Sequence, residues 1–231
     1  MTMKLKVLCW NIWTDGKFEE VLEFLKTSEA DIIGLEEVQT DEPKRNVIGF
    51  LGNLGYDHVF APVKKDWGDR IISDGPAVFS KHRIARSETY LLSNSDSRAA
   101  AGANVQIGSD ILHVFGTHLL HTHQKPSEVQ EEQAKNLLAL VPKEKSIVMG
   151  DFNAEPESTA IKILESRLAN ADPALAPTWS VYPEGCMVCK PADVSIKLDY
   201  IFTTADIKTD NFKVEKSMAS DHLPVSVTLE L

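Results

Sequence analysis

The chain has few cysteines and no long apolar run, and these absences exclude several classes of protein. Its three cysteines cannot all pair, and Cys9 lies within an apolar segment, so the pattern does not fit a disulfide scaffold from an oxidising compartment. No stretch approaches the roughly 18 consecutive apolar residues that span a bilayer. Met1 to Lys4 leads directly into a strand-like segment. We therefore expect no signal peptide, no membrane span and a cytoplasmic location.

Basic residues are also scarce relative to acidic ones. There are 24 Lys and Arg against 34 Asp and Glu, which gives a formal net charge of −10. Diffuse, tight binding to a nucleic-acid backbone normally requires a broad basic face, so we do not expect it, although a bound cation could supply positive charge at one site. The 231 residues contain no Pro/Gly/Ser-rich linker, and 43% are hydrophobic. We predict one globular domain over residues 1–231, present as a monomer.

Apolar periodicity predicts an α/β protein. A short, nearly all-apolar run such as 31–35 is typical of a strand that is covered on both faces, and two-residue alternation from Val225 to Leu231 predicts a half-buried strand. Strands are predicted at 4–10, 31–35, 56–61, 76–80, 89–92, 99–107, 111–117, 146–149, 198–202 and 225–231, and helices after Gly16 and at 43–54, 127–141 and 158–168. This order predicts two β-sheets packed face to face and flanked by helices.

Polar side chains occur where the predicted strands end: Asn11, Glu36, His118, Asp151 with Asn153, Asp199, and Asp221 with His222. Any one of them alone would ordinarily be solvated. Gathering so many carboxylates costs several kcal/mol of repulsion and desolvation unless a cation compensates them. Mg²⁺ prefers oxygen ligands and retains waters for a substrate phosphate, so this set predicts a Mg²⁺ site, with Mn²⁺ as a substitute.

Asp199 and His222 form a second possible element of a site. If the two side chains meet, the carboxylate fixes the imidazole tautomer and raises its basicity, which would suit a donor to phosphate. From periodicity alone, an ordinary surface or core histidine is an equal alternative for His222.

Seven short motifs, in this order, cover nearly the whole chain: Trp10-Asn-Ile, Gly34-Leu-Glu-Glu-Val, Gly75-Pro-Ala-Val-Phe-Ser, Thr117-His-Leu, Gly150-Asp-Phe-Asn-Ala-Glu-Pro, Leu198-Asp-Tyr-Ile-Phe and Ser220-Asp-His-Leu-Pro-Val. Together they resemble the motifs of the endonuclease/exonuclease/phosphatase family. The resemblance implies a four-layer α/β sandwich and hydrolysis of phosphoesters with a divalent metal. It also implies a phosphate-ester substrate.

The resemblance implies a role for each residue of the set. Glu36 would be the direct metal ligand, Asn11 would hold the ion or a substrate oxygen, and Asp221 would support the metal or the histidine. These three form the expected metal side of the site.

The remaining residues would act on the reacting groups. Asp151 would orient or deprotonate the attacking water, and Asn153 would hydrogen-bond that water or the phosphate. His222, held by Asp199, would donate to a phosphoryl oxygen during in-line attack. His118 would be the second donor to the phosphate.

Departures from the motifs narrow the expected activity. Glu36-Glu-Val-Gln and Thr117-His-Leu differ from the pattern of apurinic-site endonucleases, so that repair activity is disfavoured. Ala154-Glu-Pro differs from the pattern of inositol polyphosphate phosphatases, so that activity is disfavoured as well. The compact Thr-His-Leu form is similar to pancreatic-type deoxyribonucleases and to the phosphodiesterases that remove tyrosyl adducts from DNA 5′ ends. We expect a phosphodiesterase acting on nucleic acids, single-stranded or end-exposed, or on nucleotide-containing substrates. A phosphomonoesterase, a sphingomyelinase-like lipid-headgroup phosphodiesterase and a non-catalytic binding member of the fold are the alternatives.

Three further residues could contact substrate: Trp67 and Trp179 from long loops, and Arg98 from the start of the long middle strand. Trp67 and Trp179 could stack on a base or an apolar group, and anchoring of each loop to the core is an equal alternative. Arg98 could reach phosphate, although a structural ion pair is as well supported.

His118, His121 and His123 crowd together, and Cys186 and Cys189 have the spacing of a metal knuckle. Each group is incomplete as a zinc site, because such a site needs four ligands and no second Cys pair exists. The sequence therefore disfavours zinc catalysis and predicts a reduced pair of loop cysteines.

Overall fold

The computed structural model describes residues 3–66, 71–95 and 98–231. Its helices are α1 (Phe18–Ser28), α2 (Val47–Asn53), α3 (Glu128–Leu140) and α4 (Thr159–Glu165). Its strands are β1 (Lys4–Asn11), β2 (Ile32–Gln39), β3 (Asp57–Phe60), β4 (Val63–Asp66), β5 (Ile71–Ser80), β6 (Ile84–Leu91), β7 (Ala99–Ile107), β8 (Asp110–His118), β9 (Ser146–Asp151), β10 (Ala169–Asn170), β11 (Asp199–Thr203), β12 (Lys208–Val214) and β13 (Val225–Glu230). None of the helices described is long and apolar enough to cross a membrane.

The strands form two sheets, each of which combines parallel and antiparallel pairs. The first sheet runs β12-β13-β1-β2-β5-β3, with β4 also paired to β5, and the second runs β10-β11-β9-β8-β7-β6. β1 pairs in parallel with β2, and β8 pairs in parallel with β9, whereas their other neighbours are antiparallel. The carboxyl ends of β1 and β2 therefore lie at one edge of the first sheet and those of β8 and β9 at one edge of the second, and a hydrogen bond from Asn11 to Asp151 joins the two edges.

Three apolar clusters divide the molecule into layers. Val7 and Val78 of the first sheet pack with Val114 and Met149 of the second, and these belong to the core between the sheets. The outer face of the first sheet is covered by α1 and α2, and that of the second by α3 and α4. Two mixed sheets with helices outside each confirm the predicted four-layer α/β sandwich.

The structure differs from the predicted elements at several places, of which one helix and one missed strand have a clear physical reason. Residues 43–54 do not form one helix: Pro43–Arg45 is a 3₁₀ turn, and Asn46 then begins α2 by accepting a hydrogen bond from the backbone N–H of Gly49. Asn is a favoured N-cap residue, so α2 begins at this point as a helix separate from the 3₁₀ turn. β12 lies at a sheet edge and is largely polar, so it gives no hydrophobic alternation for prediction.

Gly150 lets β8 and β9 approach closely just before Asp151. A Cβ at this position would lie 2.0 Å from the carbonyl oxygen of Thr117. That carbonyl belongs to the paired strand, so it cannot move without disturbing the ladder that places His118 opposite Asp151. The glycine is therefore required by packing at the edge where the polar residues gather.

We expect Gly150→Ala to lower the free energy of unfolding by about 3 kcal/mol, the upper end of the range for overpacking. Gly52→Ala is the matched control, because nothing lies within 4 Å of its added methyl group and Ala favours a helix. Urea denaturation of both variants measures the difference. Equal stability of the two variants would contradict this role of Gly150.

Candidate active site

Alternation along the strands turns several polar side chains toward the gap between the sheets. Cys9 of β1 and Met149 of β9 belong to the core between the sheets, so Asn11 and Asp151, two residues further on, face the same side. His118 ends β8 and pairs in register with Asp151. Beyond the last apolar layer, the space between the sheets is therefore lined by polar groups.

Asp151 lies at the centre of this arrangement. Its Oδ2 atom accepts a hydrogen bond from Asn11 Nδ2 at 3.0 Å, and it lies 3.4 Å from His118 Nε2 and 3.6 Å from His222 Nε2. Its Oδ1 atom accepts the backbone N–H of Asn153 at 2.8 Å. The carboxylate thus joins the ends of both sheets and faces two imidazoles.

Asp199 orients His222. It begins β11 directly opposite Asp151, and its carboxylate lies 2.9 Å and 3.1 Å from His222 Nδ1. Nδ1–H therefore donates to Asp199, which leaves Nε2 to face Asp151 and the cleft. The indole N–H of Trp10 donates to the backbone carbonyl of His222 at 2.8 Å and holds this segment against β1. The predicted Asp199–His222 pair is present.

The close acids and imidazoles change their proton affinities. Burial raises the pKa of Asp151 to about 7, partly offset by the nearby His222, and Asp199 raises it further. Burial alone would lower the pKa of His222, but the carboxylates of Asp199, Asp151 and Asp221 raise it well above its ordinary value. Burial also raises the pKa of Asp221, opposed by His222 and reinforced by Glu37. At neutral pH this favours a protonated His222 beside an acid that can gain or lose a proton.

The acid that faces the cleft from β2 is Glu37. The pairing of β2 with β5 is irregular between Leu35 and Val38, and Glu37 has a left-handed backbone with φ 60°. Such a bulge turns a side chain away from the ordinary alternation. The Glu37 carboxylate accepts hydrogen bonds from the backbone N–H of Thr14 at 2.7 Å and its hydroxyl at 2.6 Å, and from Asn11 Nδ2 at 3.2 Å.

Glu36, predicted as the direct metal ligand, lies instead inside the core between the sheets. Its side chain is fully buried, with both carboxyl oxygens 3.8 Å from Cys9 Sγ, and it is absent from the lining of the cleft. Gly34 and Glu36 occupy alternate positions on β2, and Gly34 packs against Met149 between the sheets. Alternation thus buries Glu36, and the carboxylate that reaches the cleft from β2 belongs to the next residue, Glu37.

The cleft has a volume of about 230 Å³ and opens at this edge of the two sheets. Its lining includes eight predicted residues, three from the ends of β1, β8 and β9 and five from connecting segments: Asn11, Arg98, His118, Asp151, Asn153, Trp179, Asp221 and His222. A model of the Endonuclease/Exonuclease/phosphatase family matches residues 8–222, which is almost the whole chain. The chain belongs to the endonuclease/exonuclease/phosphatase family. No curated protein sequence matches it significantly.

Solved structures support the same fold for this family member. A family protein from Beutenbergia cavernae DSM 12333 has a TM-score of 0.80 at 22% identity, over 99% of this chain and 72% of that one. ANGEL2, described as a 2′,3′-cyclic phosphatase, has a TM-score of 0.76 at 17% identity over 100% and 96% of the two chains. A mannosyl-6-phosphatase from Bacteroides thetaiotaomicron VPI-5482 has a TM-score of 0.69 at 17% identity over 97% and 99%.

The three predicted substrate-contacting residues have different positions. Trp179 borders the cleft but is only 1% exposed, and its indole N–H donates to Asp221 at 3.1 Å, which fits the anchoring alternative. Arg98 is partly buried at the cleft wall. Trp67 lies outside the described residues. Trp179 therefore positions an acid of this family member's cleft.

The long loop of residues 171–197 also differs from the sequence prediction at its cysteines. Cys186 and Cys189 form a disulfide in the structure, whereas a reduced pair was predicted. His121 and His123 lie beside them. The sequence gives no direct indication of this contact, because the two groups are more than 60 residues apart and come from different loops.

The burial of Glu36 yields a prediction about pH and stability. Burial raises its pKa well above the ordinary value, and Asp199 and Asp151 add to the effect. An acid with a raised pKa in the folded state stabilises the protein below its unfolded pKa of about 4.3, and this contribution is lost as pH rises toward the folded pKa. We expect the stability of Glu36→Gln relative to the parent to increase as pH rises from about 4 to about 7, because only the parent loses this contribution.

Thermal unfolding across this pH range tests the effect, and the difference in Tm between Glu36→Gln and the parent should grow steadily as pH rises. Glu23→Gln, an exposed position on α1, is the control and should show a nearly constant difference. A constant difference for Glu36→Gln as well would contradict a protonated Glu36 in the core.

Proposed function

We propose that this protein is a Mg²⁺-dependent hydrolase of phosphodiester bonds in nucleic acids or nucleotide-containing substrates, acting by in-line attack of water. The observation that carries the proposal is the set of contacts at Asp151 Oδ2, where Asn11, His118 and His222 meet one carboxylate. Membership of the endonuclease/exonuclease/phosphatase family and the phosphatases among its structural neighbours support a hydrolase of phosphate esters.

The chemistry of the cleft fits a hard divalent cation. Carboxylates of Glu37, Asp151 and Asp221 share it with the amide groups of Asn11 and Asn153, and oxygen donors of this kind are what Mg²⁺ and Mn²⁺ prefer. The raised pKa values of Asp151 and Asp221 also show that burying these acids without compensation is unfavourable. Glu37 would hold the cation, with Asn11 and Asp221 beside it. The bound cation supplies charge neutralisation and polarisation of the phosphate.

Asp151 is placed to take a proton from the attacking water. A base with a pKa near the working pH can accept a proton and release it again, and the pKa of Asp151 is raised to about 7. The backbone N–H of Asn153 and the side chain of Asn11 hold its two oxygens in place. This leaves the carboxylate fixed at the cleft with little freedom to turn away.

His222 is placed to donate to a phosphoryl oxygen. Its Nδ1–H is occupied by Asp199, so a protonated imidazole presents Nε2–H toward the cleft. Negative charge grows on the phosphoryl oxygens during attack, and an aimed donor at such a position typically contributes about 2.7–4 kcal/mol. His118 Nε2 faces the same carboxylate from the neighbouring strand and supplies a second donor.

The structural neighbours and the net charge of the chain bear on the substrate class. ANGEL2 is described as a 2′,3′-cyclic phosphatase, and a cyclic phosphate is a diester, whereas the mannosyl-6-phosphatase is named for a monoester, so a phosphomonoesterase is the second candidate. With a net charge of −10, single-stranded or end-exposed nucleic acid fits better than a long duplex held along a basic face. We retain a cytoplasmic monomer as the expected state on the sequence arguments alone.

Adjacent glutamates provide a matched test of the site. We expect Glu37→Gln to reduce Mg²⁺-dependent hydrolysis of a bis-aryl phosphate by at least about 100-fold, because it removes a charged ligand of the cation. Glu36→Gln should retain most of the activity, because its carboxyl group is buried below the cleft. Steady-state kinetics with and without a chelator, together with Mg²⁺ calorimetry of both variants, measure the difference.

Loss of activity in Glu36→Gln with retention in Glu37→Gln would overturn the assignment. Hydrolysis by the parent that is unaffected by the chelator would overturn the metal requirement. Absence of both hydrolysis and Mg²⁺ binding in the parent would favour a non-catalytic binding protein. A panel of single-stranded DNA, RNA, a nucleoside monophosphate, a sugar phosphate and a phosphocholine lipid distinguishes diesterase from monoesterase and lipid-headgroup activity.

Asp199→Asn tests the proton held on His222. Removing this carboxylate lowers the pKa of His222, so the imidazole loses its proton at a lower pH. The basic limb of the pH profile of kcat should therefore move to lower pH, and kcat itself should fall by about 10²–10⁴. Asp210→Asn, exposed on β12, is the control. The pH dependence of kcat is the measurement. A basic limb that does not move in Asp199→Asn would contradict the role of the Asp199–His222 pair.

A further inference from the structure

A cluster of four soft metal ligands lies outside the proposed magnesium site. His121 and His123 come from the loop after β8, and Cys186 and Cys189 come from the long loop before β11. One donor atom from each of the four residues lies within 4.8 Å of the other three. The sequence shows two incomplete halves, and the fold brings them together as a complete Cys₂His₂ set.

The nitrogen and sulfur positions fit a tetrahedral zinc ion. His121 Nε2 lies 3.0 Å from His123 Nδ1, and His123 Nδ1 lies 3.4 Å from the sulfur of each cysteine. His121 Nε2 lies 3.9 Å from Cys189 Sγ. Zinc bond lengths of about 2.0–2.1 Å to nitrogen and about 2.3 Å to sulfur give tetrahedral edges of about 3.3 Å between nitrogens and about 3.6 Å between nitrogen and sulfur. The observed nitrogen–nitrogen and nitrogen–sulfur distances are therefore close to those around one tetrahedral zinc ion.

We propose that His121, His123, Cys186 and Cys189 bind one structural Zn²⁺ when the two cysteines are reduced. Reduction breaks the sulfur–sulfur bond between Cys186 and Cys189 and gives two thiols. Two molecules of a thiol reductant supply the two electrons and two protons and become a disulfide, or a phosphine supplies the electrons and becomes a phosphine oxide, with water supplying its oxygen and the two protons. Zn²⁺ then replaces both thiol protons, which are released to solvent. Four protein ligands leave no open position, so this zinc is not the site of hydrolysis.

The cluster is partly shielded from solvent. His121 is half-buried. Cys186 is 6% exposed, and it packs with Trp179 and Leu198 in a small apolar cluster that shields one side of the site.

The zinc site would be connected to the hydrolytic cleft through Asn153. His121 Nδ1 lies 2.6 Å from Asn153 Oδ1, and Asn153 Nδ2 donates to the carbonyl of Leu119 at 3.1 Å. With zinc on Nε2, the proton of His121 must be on Nδ1, so it donates to the Asn153 oxygen. The side-chain oxygen and nitrogen of Asn153 would then each have a fixed hydrogen-bond partner. The cysteine loop also carries Trp179, which donates to Asp221, so zinc would stabilise two walls of the cleft.

Metal content of the whole purified chain tests the proposal without relying on hydrolysis. The protein is reduced with a phosphine, equilibrated with Zn²⁺ in the presence of millimolar Mg²⁺ and freed of unbound metal. We expect about one zinc per chain for the parent, and less than about a tenth of that for the Cys186→Ser/Cys189→Ser double variant. His82→Ala, which removes a histidine outside the cluster, should bind as the parent does, and His123→Ala should lose most of the zinc.

Co²⁺ in place of zinc gives a second measurement, because a tetrahedral thiolate site produces intense visible absorption and a sulfur-to-metal charge-transfer band. The side-chain amide NMR signals of Asn153 should shift on zinc addition to the parent and not to the double serine variant. Chain oxidised at Cys186–Cys189 should bind no zinc at this site.

Absence of stoichiometric zinc in the reduced parent would overturn the proposal. Equal zinc in the double serine variant would also overturn it and would place the metal elsewhere. Loss of that zinc in Glu37→Gln, with retention in the double serine variant, would identify the hydrolytic cleft as the binding site. If the protein did not hydrolyse phosphodiesters, the zinc measurements would still test this proposal in the same way.

Discussion

The hydrogen bond from Asn11 Nδ2 to Asp151 Oδ2 joins the last residue of β1 in one sheet to the last residue of β9 in the other. It can form only if the strand registers of both sheets hold at once. In the first sheet β1 must keep its register with β2, and in the second sheet β9 must keep its register with β8 and β11. A slip by one residue in any of these strands would turn its polar end away from the gap between the sheets. The apolar core between the sheets thus fixes the registers, and the registers place the cleft.

The same apolar packing buries charged groups close together at the base of the cleft, which is unfavourable unless their charges are balanced. Asp151, Asp199 and His222 are nearly fully buried and their donor atoms lie within 4.8 Å of one another. Hydrogen bonds and a protonated imidazole balance part of this charge, and the proposed cation would balance the rest. Family membership and this geometry support one chemistry, in which a fixed carboxylate and a charged donor face a phosphate ester. The loops around the cleft, and not its centre, would determine which ester enters.

Much of this could be predicted from sequence, since hydrophobic alternation and motif order indicate which strand ends meet. Asp199, Asp151 and His222 lie together as predicted. Glu37 was missed because a strand bulge changes the facing residue by one position, and adjacent glutamates carry no signal of the bulge. The pairing of His121 and His123 with the two cysteines of the long loop was missed for another reason. Contacts between distant loops depend on tertiary packing, which local periodicity does not encode.

The most direct measurement of the central claim is anomalous diffraction from crystals grown with Mn²⁺, recorded at the manganese absorption edge. The account predicts a peak in the cleft within bonding distance of a Glu37 oxygen, beside Asn11 and close to Asp151. A peak bound to Glu36 inside the core, or no peak in the cleft at millimolar Mn²⁺, would contradict it.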